Sequence, residues 1–204
     1  MLNSLTGPDL IYIVASIIIA LSIHEAMHAF TAHWLGDTTA RDMGRLSLNP
    51  LRHIDPFTTV LLPIITLLIF HVPILAARPV PFNPDRVKFD EFGSALIAAA
   101  GPFSNLVLAV IAALFLHVAP NNAILVNFLT TFTVLNVALF VFNILPIPPL
   151  DGSRILYAFA PEPIQDFMRQ VEPYGLFIVF GLVLTGVLIP LVTSLNDSIL
   201  QLLP

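Results

Sequence analysis

Apolar and polar positions alternate along this chain in long blocks rather than with a short period. Four apolar blocks predict helices at 9–35, 94–118, 122–145 and 174–195, each at least the roughly 20 residues that a membrane-spanning helix needs. Asp9, behind Pro8, supplies an N-cap for the first, and Gly36-Asp37 closes it. Pro120-Asn121-Asn122 makes a tight turn between the second and third. Polar segments at 36–57, 78–93 and 146–173 separate the blocks. Within the last of these, Ile164, Phe167, Met168 and Val171 fall at i, i+3, i+4 and i+7. That spacing predicts a short amphipathic helix, lying on the membrane surface or packed on the bundle.

The block 58–77, "TTVLLPIITLLIFHVPILAA", is interrupted by Pro63, His71 and Pro73. All eight basic residues lie in the three polar segments: Arg41, Arg45 and Arg52, then Arg78, Arg86 and Lys88, then Arg154 and Arg169. Short loops rich in Lys and Arg face the cytoplasm. The three segments share one side if 58–77 enters the membrane and returns, so a re-entrant element is expected there, with a fifth span as the alternative. Re-entrant backbone must be buried among helices. The chain reads as one domain, 1–204, without repeats or a second polar domain. Its expected class is an all-α polytopic membrane protein with about four to six transmembrane helices.

Composition agrees. Of 204 residues, 57% are hydrophobic and 10% charged, and mean hydropathy is +0.91, against about a quarter charged in soluble domains. A net charge of −5 without a basic cluster argues against a nucleic-acid partner. With no cysteine, neither disulfides nor thiolate chemistry are available. The first ten residues carry no Lys or Arg, so the first apolar block does not read as a signal peptide.

Chemistry enters at "SIHEAMHAF", residues 22–30, inside the first apolar block. His24 and His28 are four apart, on one helix face and one turn from each other. Two neutral imidazoles so placed can bind one zinc ion. Glu25, about 100° round the helix from His24, stands where a general base would act on water at the metal. Roughly 0.003 matches to H-E-x-x-H are expected by chance in this composition. A cluster of polar groups bonding helices together is the competing account, but ionisable groups within a membrane span mark function by default.

A catalytic zinc site wants three protein ligands. His33, His53 and Asp55, His71 and His117 have blander uses in packing, loop hydrogen bonds or helix ends. The best third ligand is remote. In "FNILPIPPLDGSRIL", residues 142–156, Pro146, Pro148 and Pro149 must unwind the helix. Asp151-Gly152 then delivers a carboxylate, which can ligate a metal and also cap the helix that follows.

Together these residues resemble the site-2 protease family of intramembrane zinc metalloproteases. The matching motifs are H-E-x-x-H at 24–28, the N-x-x-P-x-x-x-x-D-G pattern of Asn143, Pro146, Asp151 and Gly152, and "AGPFSN" at 100–105. "GRLSLNPLRHIDP" at 44–56 and "ARPVPFNP" at 77–84 resemble its compact bacterial and archaeal branch, without room for PDZ or CBS domains. The resemblance implies one zinc ion held by His24, His28 and Asp151, with Glu25 as general base. Asn143 is the first candidate donor to the oxyanion and Asn105 the second, or both serve as interhelical glue. The substrates implied are single-pass membrane proteins, cleaved within or next to their transmembrane segments in regulated intramembrane proteolysis. A prokaryotic inner membrane, with the site open to the cytoplasm, suits the compact form. Segments 44–49 and 78–84 are either connecting loops or short β-strands that could pair with an unwound substrate. Oligomeric state is left open. A zinc transporter and a catalytically silent scaffold are the competing classes. A transporter would spread its ligands across several helices, and a silent scaffold would lack Glu25.

Overall fold

The computed structural model describes residues 7–53, 81–118 and 122–204. The element expected at 58–77, with Asp55 and His71, lies outside the described residues. Helix α1 spans Gly7–Trp34, followed by a short α2 at Thr39–Asp42 and a 3-10 turn at Pro50–Arg52. Helix α3 is Asp90–Val118, α4 is Ala123–Ile144 and α5 is Asp151–Phe159. Helix α6, Glu162–Val171, runs through a 3-10 turn at Glu172–Tyr174 into α7, Gly175–Leu184, and α8 is Leu188–Leu202. Among the described residues, four helical runs are long and apolar enough to cross a membrane: Gly7–Trp34, Asp90–Val118, Ala123–Ile144 and Glu162–Leu184. This is an all-α, multi-pass integral membrane protein.

Small residues set the helix packing. Ala20, Ala26, Ala29 and Ala32 of α1 have no exposed surface, and Ala95, Ala98, Gly101, Ala109 and Ala112 of α3 are buried with them. Without bulk between the backbones, helices in lipid gain close van der Waals contact where no hydrophobic drive brings them together. Larger side chains point outward, among them Ile11, Ile18, Phe30, Phe103, Val107 and Ile111, where lipid solvates them.

The helix expected at 174–195 is broken. Gly186 adopts φ +72 between α7 and α8, a left-handed conformation that favours glycine. Thr185 N–H and its hydroxyl both donate to the Gly181 carbonyl at 2.9 Å, closing the last turn of α7. Ten residues of α7 reach about 15 Å, half of a hydrocarbon core. The spanning length comes instead from continuity with α6. Helix α8 turns back, packing Val192, Ile199 and Leu200 against Val137 and Val141 of α4. The amphipathic helix expected around 164–171 is present as α6, with Ile164 and Phe167 exposed.

No strand occurs among the described residues. In 44–49 local bonds hold the backbone in a turn and bends: Arg45 N–H donates to the Ala40 carbonyl, Ser47 N–H to that of Arg45, and the His53 ring bonds the Ser47 carbonyl at 2.7 Å. Short range wins over pairing here.

A buried carboxylate ties the loops to the helices. Asp37 accepts from the Thr39 N–H at 3.0 Å, the Thr39 hydroxyl at 2.6 Å and the Asn83 N–H at 2.7 Å. The Lys88 N–H reaches the Leu35 carbonyl at 2.9 Å alongside. Burial alone would raise the Asp37 pKa, but those bonds and the nearby Arg86 charge hold it below its ordinary value of 3.8. The ionised clasp therefore stabilises the fold above that pH and is lost as pH falls through the lower folded value. Asp37→Asn should destabilise the protein by about 2 kcal/mol at neutral pH, with the gap to wild type closing below about pH 4. Thermal unfolding in detergent across that range checks this, and a gap independent of pH would refute it.

Candidate active site

Histidines 24 and 28 project from one face of α1, as their spacing predicts, and both are buried. Helix α4 ends at Ile144, and the proline segment, with Pro148–Pro149 in cis, carries the chain to α5. Leu150 occupies the cap position of α5 without a side-chain cap bond. Asp151 is therefore the first helical residue rather than the cap, near a positive helix end that suits a carboxylate. Its Oδ2 lies 3.2 Å from His24 Nε2 and 3.4 Å from His28 Nε2, and the two Nε2 atoms are 3.0 Å apart. Segments 123 positions apart in sequence meet at one point.

These donors suit a metal ion. His24, His28 and Asp151 each offer one ligand atom, all within 4.8 Å of one another. His28 Nδ1 lies 2.7 Å from the Ile97 carbonyl, which can only accept, so that nitrogen carries the ring's proton. Nε2 of the neutral ring is then a lone pair facing a carboxylate oxygen, an arrangement that asks for a cation between them. Two nitrogens and one oxygen with a free approach is the donor set of a catalytic zinc site.

Gly101 faces the cluster. A Cβ there would lie 2.7 Å from His24 Nε2 and closer still to His28 Nε2. Gly152 is equally constrained, because its Cβ would overlap the Ile144 carbonyl. That contact lets α5 begin directly under the end of α4.

Glu25, buried beside the histidines, lines the same cavity of about 630 Å³ as His24, His28, Asn143 and Asp151. Asn143 is half-buried and donates from Nδ2 to the Leu139 carbonyl at 2.9 Å, leaving its second N–H for the cavity. Phe82 and Pro84 form another wall. A second cavity of about 460 Å³, which shares Pro84 and Arg154 with the first, reaches Asp85, Asp90 and Glu91. Arg154 pairs with Glu172, which lines the second cavity, at 3.0 Å.

Of the other sequence candidates, Asn105 is fully buried and bonds His24 Nδ1 at 2.6 Å. It does not line the cavity. His33, His53 and His117 stand apart from the cluster, with His53 bound to the Ser47 carbonyl and His117 to that of Ala113 at 3.3 Å. Sequence reasoning missed Gly101 as a site residue, together with the Ile97 carbonyl. Ile97, Gly101 and Asn105 are spaced by four, one face of α3 turned to the histidines, and Gly101 was readable from that spacing.

Helices able to span a membrane bring a His-His-carboxylate group together beside a glutamate, the ligand set and base that a membrane zinc protease needs. Comparison with known proteins agrees. The model of "Peptidase family M50" matches residues 118–186, which contain Asp151. "Putative zinc metalloprotease YwhC" of Bacillus subtilis is 37% identical over 204 residues, covering 94% of this chain and 90% of the relative. "Putative zinc metalloprotease Rip2" of Mycolicibacterium smegmatis is 30% identical over 185 residues, covering 87% and 68%. No solved structure matches the chain. The chain belongs to the site-2 protease family, peptidase family M50, and is a zinc-dependent metalloprotease of the membrane.

Proposed function

We propose that this protease hydrolyses a peptide bond within or next to the transmembrane segment of a single-pass membrane protein, as the cleaving step of regulated intramembrane proteolysis. The observation that supports this is the position of the cluster along α1. His24 lies ten residues and His28 six before the end of α1 at Trp34, or about 15 and 9 Å along the helix axis. Such positions are within the hydrocarbon layer of a helix that spans it.

His24, His28 and Asp151 would hold the zinc ion, which when bound polarises a carbonyl and lowers the pKa of water towards about 7. Glu25 takes one proton from the attacking water as the oxygen adds to the scissile carbonyl carbon. Asn143 donates its cavity-facing N–H to the carbonyl oxygen as negative charge develops there. Glu25 then passes its proton to the leaving nitrogen as the C–N bond breaks, releasing a carboxylic acid and an amine. Cytoplasmic access is supported by the basic segments: Lys88 meets Leu35 beyond α1, and Arg154 stacks 5.4 Å over Phe82. The described parts of the three basic segments thus gather at one end of the bundle, the distribution expected of a cytoplasmic face in a prokaryotic inner membrane.

The test reconstitutes the full chain in vesicles with a single-pass substrate and maps the products by mass spectrometry. Cleavage inside or beside the apolar segment, absent in His24→Ala, is expected. Cleavage confined to distant soluble regions, or zinc uptake into the vesicles without proteolysis, would overturn the reading.

A further inference from the structure

Two asparagines at the centre of the bundle have no exposed surface: Asn105 on α3 and Asn136 on α4. Neither lines a cavity of the site, and an amide among apolar helices is costly unless every polar atom is used. Their bonds run in one direction. Asn136 Nδ2 lies 2.8 Å from the Phe132 carbonyl, which can only accept, so the amide nitrogen is fixed on that side. Asn136 Oδ1 therefore accepts from Asn105 Nδ2 at 2.9 Å. A second N–H of Asn105 points to the Ala20 carbonyl at 3.3 Å, again a pure acceptor. What remains of Asn105 is Oδ1, 2.6 Å from His24 Nδ1. That oxygen can only accept, so His24 carries its hydrogen on Nδ1 and presents a bare lone pair at Nε2, towards Asp151.

We propose that Asn136 is a positioning residue for the zinc site, acting through Asn105 to fix the tautomer and ring orientation of His24. Helix α4 thereby governs a ligand on α1 without touching the metal. The Ile97 carbonyl does the same for His28 directly, so each imidazole is set by a different partner. Metal-binding histidines depend on such outer partners for 10–100-fold in affinity, roughly. Asn105 is thus no oxyanion donor, since both of its amide ends are engaged and neither lines the cavity.

The inference rests on His24 as a ligand, which the loss of zinc from His24→Ala tests separately. Zinc affinity of the full chain in detergent is measured by chelator competition for Asn136→Leu, similar in volume but without polar atoms. It should weaken about 10–100-fold, with an altered visible spectrum after cobalt substitution. Asn136→Asp, protonated when so buried, restores one donor and one acceptor and should recover most of the affinity. Thr133→Val is the packing control. Thr133 is buried on the same helix, and its hydroxyl has no hydrogen-bond partner. Wild-type affinity and spectrum in Asn136→Leu would overturn the proposal, as would an equal loss in Thr133→Val. If Asn136→Leu does not fold, Asn136→Asp decides alone: near-normal affinity with a wild-type cobalt spectrum supports the relay, and a loss as large as that of His24→Ala refutes it.

Discussion

Glu25→Gln should leave zinc in place and abolish proteolysis. Glutamine keeps the shape and hydrogen-bonding reach of the side chain but cannot accept and return a proton. General acid–base groups contribute about 10²–10⁴ in rate, so turnover should fall by at least that range. Three other side chains form the metal cluster, and zinc content should remain one per chain. Metal analysis of the purified variant beside a cleavage assay checks both halves. Retained activity would remove Glu25 from the proton path, whereas loss of zinc would make it a ligand.

Gly101→Ala is expected to act in the opposite way, by emptying the site. The added methyl would fall 2.7 Å from one imidazole nitrogen and nearer to the other. Neither ring has room to retreat, because both Nδ1 atoms are already bonded, to Asn105 and to the Ile97 carbonyl. The loss in zinc affinity should exceed the roughly 10–100-fold that follows loss of one outer-shell bond, although alanine is the better helix former. Zinc content and far-ultraviolet circular dichroism together test this. Full zinc occupancy in a folded Gly101→Ala protein would contradict the packing described.

Much of the site was legible in the sequence, because its chemistry is concentrated in rare residues against an apolar background. His24, Glu25 and His28 stand out by helical spacing, and Asp151 by the prolines that end α4 before it. Helix positions followed from apolar block length, which the bilayer imposes. The break at Gly186 was harder to see, since a glycine within an apolar run can be either interior or terminal. Only its φ of +72 settles which. The Ile97 carbonyl had no signature to read, because every residue carries one. Asn136 was readable as a polar residue two turns before Asn143 on α4, yet its role depends on which way α3 presents Asn105, a tertiary fact.

The carboxylate of the cluster arrives only after α3 and α4 have been threaded between it and the histidines. On that ligand set, a nascent chain with α1 already inserted offers two imidazoles and nothing to complete the coordination. Hydrolytic capacity thus waits for the late segment to dock.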